Sequence, residues 1–183
     1  MIKKLRRTQF GNPILRATAR QLTPSEIRSD EIQELIAAIR TTLIEKQYGV
    51  GLAAPQVGHS VALTVIGIKP TPSRPHNPFI DMVVINPELI KTYGRKTPMW
   101  EGCISFGDTK NFPYAQVPRY QKIRLRWLDE QGKRHERDFE GLLAQVLQHE
   151  TDHLNGILFV DKVEDTTTYM TITEYKRQFV KSQ

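Results

Sequence analysis

Between Glu140 and Asn155, Leu142, Leu143, Val146, Leu147 and Leu154 recur at helical spacing, and the series continues on both sides of His149-Glu150-Thr151-Asp152-His153. Side chains four apart on a helix stand one turn above the other, so His149 and His153 share a face and can hold one metal ion. Glu150 then stands beside any water that the ion holds. The metal motif therefore sits inside a helix, and the rest of the chain has to pack around it. The chemistry predicted is hydrolysis by a metal-activated water, with the carboxylate moving the proton. By itself the pattern also fits two hydrogen-bonded histidines on a half-buried helix face. Gly156 follows directly and suits a left-handed helix end.

Ile32, Leu35, Ile36, Ile39 and Leu43 predict a second helix from about 30 to 46, capped by Ser29-Asp30 and ending near Tyr48-Gly49. Val61 to Ile68 and Met82 to Ile85 are β-branched runs, joined by a surface loop that carries Pro70, Pro72, Pro75 and Pro78. Ile123 to Leu128 and His135 to Phe139 flank Asp129-Glu130-Gln131-Gly132 and predict a hairpin. From Asp165 onward, threonines mixed with Tyr169, Ile172, Tyr175 and Phe179 suit either a strand or a short helix, and that tail is left unassigned.

At 183 residues and 39% apolar content, the expectation is one domain spanning residues 1–183. No apolar run approaches the roughly 18 residues of a membrane span, and the basic start from Met1 to Arg7 has no apolar stretch behind it. Neither a signal peptide nor a membrane partner is expected. Cys103 is the single cysteine, which excludes an internal disulfide and suggests a reducing compartment. The net charge of +6 implies some affinity for anionic partners such as RNA or the ribosome, without specific DNA binding. Its denser segments are Lys3 to Arg7, Lys122 to Arg126 and Lys133 to Arg137, the last two reading as solvated strand edges around a turn.

Two histidines need a third protein ligand, and Cys103, in Trp100-Glu101-Gly102-Cys103-Ile104-Ser105, is the candidate. Taken alone, a single cysteine is more often a small buried hydrophobe. A third segment, Gly49 to Gly58, alternates glycines with small residues, so another backbone can approach Gly49, Gly51 and Leu52 and a peptide can lie there. Gln56 in it is an uncharged donor suited to an oxyanion. The plainer alternative is a glycine-rich turn leading to the strand at Val61.

Together the three segments resemble the peptide deformylase family in order and spacing. The first motif is carried by Gly49, Gly51, Leu52, Ala53, Ala54 and Gln56, the second by Glu101, Gly102, Cys103 and Ser105, the third by Gln148, His149, Glu150, Asp152, His153 and Gly156. Asn12-Pro13-Ile14-Leu15-Arg16 also looks like the family's first conserved segment, so the resemblance runs from about residue 10 to about 165. It implies an α+β fold, with small, mostly antiparallel sheets packed around a central helix carrying the H-E-x-x-H motif. It implies Cys103, His149 and His153 as ligands of one divalent metal, ferrous iron first and zinc second, with Glu150 as general acid/base. Gln56 and the backbone N–H of Ile104 would face the oxyanion. The substrate implied is an N-formylmethionyl peptide, in a cytoplasmic enzyme. The resemblance also pairs Glu101 with Arg119 and gives Asp152 a supporting role. Rival readings are a related N-acyl-peptide hydrolase and a peptide-binding protein without turnover.

The chain departs from that family where Phe106-Gly107-Asp108 replaces the usual apolar residue and proline, and where the connection to Val117-Pro118-Arg119 looks longer. Gly107 frees a φ that proline would fix, so residues 106–114 are expected to be mobile and to touch substrate beyond its first residue. The 69–79 connection also looks extended, and the tail lacks an obvious long basic helix.

Overall fold

The computed structural model of the protein describes residues 5–46, 49–70, 79–107 and 111–180. After one capped turn at Pro24–Ile27 (α1), the expected helix occupies Asp30–Lys46 (α2), and the Ser29 hydroxyl accepts from the Ile32 N–H at its start. Its stripe of Ile32, Leu35, Ile36 and Ile39 is buried against Leu52, Leu63, Val65, Val83 and Ile85. That burial of one apolar face, more than intrinsic propensity, stabilises such a helix.

The strands are Gly51–Ala53 (β1), Leu63–Ile68 (β2), Ile80–Gly102 (β3), Pro113–Leu128 (β4), Arg134–Glu140 (β5) and Met170–Thr171 (β6). They form one sheet in the order β1-β2-β3-β4-β5, with β6 added to β4 and every pairing antiparallel. The expectation of several small sheets is corrected by β3, whose first residues pair with β2 and whose remainder pairs with β4. Only Met82 to Ile85 of this 23-residue strand was expected, and Asn86-Pro87 and Gly94 do not end it. They bend it instead. Register shifts fall at Ile85/Glu88, Leu89/Lys91 and Tyr93/Lys96, and Asn86 and Gly94 take φ of 49° and 68°. Pro98 lies opposite Pro118, at a height where β4 has no described second strand neighbour to miss a donor.

Gly141–Leu154 is the helix that carries both histidines (α3). Ala144, Val146 and Leu147 pack it on Ile66, Ile68, Ile123, Leu125 and Phe139. At its end Gly156 takes φ 71°, and a Cβ there would collide with the Arg16 carbonyl, so glycine is required both by conformation and by space. The hairpin β4–β5 is as expected. The tail is both of its alternatives, β6 followed by a helix at Ile172–Phe179 (α4). Residues 71–78 of the proline-rich connection and 108–110 of the second long connection lie outside the described residues. No described helix is long and apolar enough to cross a membrane.

Candidate metal centre and groove

Cys103 directly follows the strand β3 and caps a short 3-10 turn at Ile104–Phe106, while α3 presents His149 and His153 to it. One donor atom from each of the three lies within 4.8 Å of the others. The Cys103 Sγ is 3.2 Å from His153 Nε2, and the two imidazoles meet edge to face at 4.9 Å. His153 Nδ1 is buried without a hydrogen-bond partner among the described residues, and its Nε2 faces the cluster. His149 Nδ1 faces Glu101 Oε2 at 3.0 Å, which directs its Nε2 away from that carboxylate. A thiol and two imidazoles converging from separate segments is a donor set that fits a catalytic metal with a position left open.

Behind the donors stands a buried ionic network. Arg119 clamps Glu101 with two bonds, Nε to Oε1 at 2.8 Å and Nη2 to Oε2 at 3.0 Å, and its Nη1 reaches Asp152. Arg119 is 2% and Glu101 5% exposed, and the bidentate geometry offsets part of that desolvation. Because Arg119 lies on β4, Glu101 on β3 and Asp152 on α3, this network registers three elements around the donors. Gln148 adds a second tie, accepting from the Tyr120 N–H and donating to the Tyr120 carbonyl. Gln145 adds a third, to the Trp100 carbonyl at 2.9 Å.

Glu150 is 4% exposed and lies against β1, where a Cβ on Gly51 would come within 2.5 Å of its Oε1. Glycine at 51 is therefore what leaves room for this carboxylate beside the backbone. Gln56, also buried, accepts from the Ala53 N–H through Oε1 at 2.8 Å, and its Nε2 donates toward Cys103 Sγ and Ser105 Oγ, each at 3.3 Å. The amide is thus oriented from one end, with its donor end at the cluster. Ile104 is half-buried at the same edge.

Sequence reasoning missed the strap that joins these segments. Thr8 N–H donates to the Gln56 carbonyl and Phe10 N–H to the Ser105 carbonyl, both at 2.7 Å, while Arg7 Nη1 donates to the Ile104 carbonyl. Its only local signal was the Asn12 to Arg16 segment just beyond it. Thr64, whose Oγ1 stands 3.5 Å from Glu150 Oε2, was also missed, because it reads simply as a strand residue.

A cavity of about 630 Å³ opens over the cluster, with Gly49, Val50 and Gly51 on one side and Trp100, Gly102 and Ile104 on the other. Leu52 does not line it. That side chain is fully buried in the core beside α2, because alternation along β1 turns it to the face opposite Gly51. β1 also ends the sheet, so its outer edge has no strand partner among the described residues. Of the described residues in 106–114, Phe112 and Tyr114 line the cavity. Gly107 has φ 152°, which proline cannot adopt.

Burial opposes charge on Cys103, yet His153 and His149 beside it hold the thiol well below its ordinary range. Burial likewise opposes charge on His149, and the Cys103 and Glu101 contacts raise it well above the usual imidazole value. Sulfur is thus disposed to be thiolate, the form that binds a metal. Burial raises Glu150 above the ordinary carboxylate value, with the imidazoles opposing. Glu101 goes the other way: despite burial, His149 and Arg119 hold it at about 2.

Comparison with known proteins agrees with this geometry. A family model described as Polypeptide deformylase matches residues 5–169. A peptide deformylase of Leptospira biflexa serovar Patoc is 37% identical over 163 residues, 88% of each chain. The Met-Ala-Ser-bound class I type b peptide deformylase of Acinetobacter baumannii superposes with a TM-score of 0.81 at 34% identity, covering 89% of this chain and 100% of that one. A peptide deformylase of Synechococcus elongatus in complex with actinonin superposes with a TM-score of 0.76 at 34% identity, covering 92% of this chain and 86% of that one.

Proposed function

The chain belongs to the polypeptide deformylase family, and we propose that Cys103, His149 and His153 are the ligands of the metal with which it works. It is a hydrolase that removes the N-formyl group from the amino terminus of newly made polypeptides. The observation that carries the residue assignment is the convergence of the three donors within 4.8 Å, directly beside a buried carboxylate. Ferrous iron is the ion we assign, with zinc as the alternative, since one thiolate and two imidazoles suit both. When bound, such an ion supplies Lewis acidity to the attacking water and to the formyl carbonyl.

The rest is work for side chains. Glu150 takes a proton from water as its oxygen adds to the formyl carbon, and returns that proton to the amine nitrogen as the C–N bond breaks. Formate and a free amino terminus leave. Gln56 Nε2 and the Ile104 N–H stabilise the oxyanion, each contributing about 2.7–4 kcal/mol if typical of such donors. The peptide adds itself as a strand to the free edge of β1 along Gly49 to Leu52, the last through its backbone alone. Methionine's flexible side chain then fills the apolar pocket at Val50, Leu142 and Val146.

Around this core, the chain acts as one catalytic domain organised about α3. N-formylmethionyl peptides are its partners, with ribosome contact through the basic surface and a cytoplasmic location as further parts of the reading. The decisive experiment is formate release from a formyl-methionyl peptide by protein loaded anaerobically with Fe(II), with metal content measured alongside. Formate in proportion to bound iron is expected. Fully loaded protein that releases none would sink the assignment and favour a peptide-binding role.

A further inference from the structure

The family match ends at residue 169, but the chain then turns back onto the wall of the groove. β6 pairs Thr171 with Pro113 and Met170 with Tyr114, and the Ile172 N–H donates to the Phe112 carbonyl at 3.1 Å. From α4, Tyr175 stacks on Tyr114 with ring centroids 4.7 Å apart and meets Trp100 at 5.4 Å; Phe179, one turn on, lies 5.1 Å from Trp100. Phe112 and Tyr114 contact each other at 5.5 Å and press on Gly102, where a Cβ would collide with both rings. Gly102 is the residue before Cys103. Trp100, Phe112 and Tyr114 line the cavity, whereas Tyr175 and Phe179 stand behind them.

The sequence of α4 is arranged for this backing. Ile172, Tyr175 and Phe179 recur at i, i+3 and i+7 on one face, while Glu174 bonds Arg177 and Gln178 and the Thr171 hydroxyl caps the Glu174 N–H. Rings stay in one rotamer only when packed from behind.

We infer that α4 is a positioning element that holds Trp100, Phe112 and Tyr114 as an aromatic wall, so that the protein favours nascent chains with an aromatic or large aliphatic side chain after the methionine. The inference rests on the deformylase reading and extends it to the residues downstream of the cleaved bond. An extended peptide alternates its side chains between faces, so methionine can enter its pocket while a later side chain meets a ring.

The test uses metal-loaded wild type, Tyr175→Ala, Phe179→Ala and Tyr175→Phe on formyl-methionine amide and on formyl-Met-Ala-Ala, formyl-Met-Phe-Ala and formyl-Met-Ala-Phe. Wild type should prefer the phenylalanine peptides. Tyr175→Ala should lower kcat/KM for them about five- to tenfold, through KM, while formyl-methionine amide stays within about twofold, and Phe179→Ala should follow in the same direction. Tyr175→Phe, which keeps the ring, should restore the preference. Equal losses on every substrate, or no phenylalanine preference in wild type, would overturn the inference. Calorimetric affinities for the same peptides read the wall without turnover. A protein that bound the phenylalanine peptides more tightly yet released no formate would refute the catalytic reading and keep the wall.

Discussion

Two sets of ion pairs use the same chemistry in opposite surroundings. Around Cys103 and His149, Arg119 joins Glu101 and Asp152 with almost no solvent contact. At the far end of β4, Lys122, Arg124 and Arg126 meet Asp138 and Glu136 of β5 and Glu88 of β3 in partial contact with water. The inner set spans β3, β4 and α3 and fixes where Cys103 and His149 stand. The outer set largely joins neighbours already held by the sheet. Its acidic members also neutralise much of the segment from Lys122 to Arg126, so the local sequence overstates the free positive surface there. Charge count is therefore a poor guide to what an ion pair does; desolvation and the number of elements joined are better ones.

The largest effect should come from the donors that the inner network supports. Cys103→Ala should drain the metal and take formate release to background, because two imidazoles one turn apart are an incomplete set. Elemental analysis checks this directly. Stoichiometric metal with unchanged ligand spectroscopy would remove Cys103 from the proposal and leave the inner network without a catalytic reason.

Next come the groups proposed to touch the reaction without holding the metal. Glu150→Gln should retain the metal and lose about 10²–10⁴ in kcat, since the amide keeps the shape and cannot carry the proton. Gln56→Ala should lower kcat by about 10²–10³ with a smaller change in KM, as fits a donor aimed at developing charge. If steady-state kinetics show a pure KM effect for Gln56→Ala, the residue only positions substrate.

The same contrast explains what the sequence disclosed. Both helices of the core, the β4–β5 hairpin and the three motif segments that converge at the cavity were legible because each is written in contiguous residues: a 3.6 period, a turn, a short motif. Glu101, Arg119 and Asp152 were reached through resemblance, since nothing local shows that positions 18 and 33 residues apart converge. β3 was underestimated because Asn86, Pro87 and Gly94 mark bulges as readily as ends. The strap from Arg7 to Phe10 was unreadable, as its bonds run from backbone or a long side chain to distant carbonyls. Leu52 was assigned by its glycine neighbours, while the pleat decides which side chains face the groove.

Stability should separate the two sets next. Arg119→Ala leaves Glu101 buried without its cation and should cost about 3–5 kcal/mol. The acid limb of stability should also belong to Glu101. Its folded value of about 2 lies below the ordinary 4.5, so its contribution is fully present above pH 4.5 and is lost as pH falls toward 2. Integrated over that window the effect is about 3 kcal/mol. Denaturant unfolding of chelated wild type and Glu101→Gln checks it, chelation keeping metal release out of the comparison. Equal slopes between pH 4.5 and 2.5 for the two proteins would show that other carboxylates dominate.

The smallest effect is predicted for Arg126→Ala. Its guanidinium makes as many carboxylate contacts as Arg119 does in count of partners, reaching Glu136 at 2.8 Å and Glu88 at 3.0 Å. A reading based on counts would rank it near Arg119. Yet water can replace those contacts once the side chain is gone, and neither Glu136 nor Glu88 is left buried. The melting temperature should therefore move by less than about 2 °C, with metal content and formate release unchanged, whereas the cost assigned to Arg119→Ala corresponds to about 10 °C in a domain of this size. Raising the salt concentration should shrink the small Arg126 effect further and leave the Arg119 effect nearly intact, because screening acts on charges that solvent reaches. A loss for Arg126→Ala as large as that for Arg119→Ala, insensitive to salt, would mean that this end of the sheet is held by its ion pairs after all, and that burial is not what distinguishes the two sets.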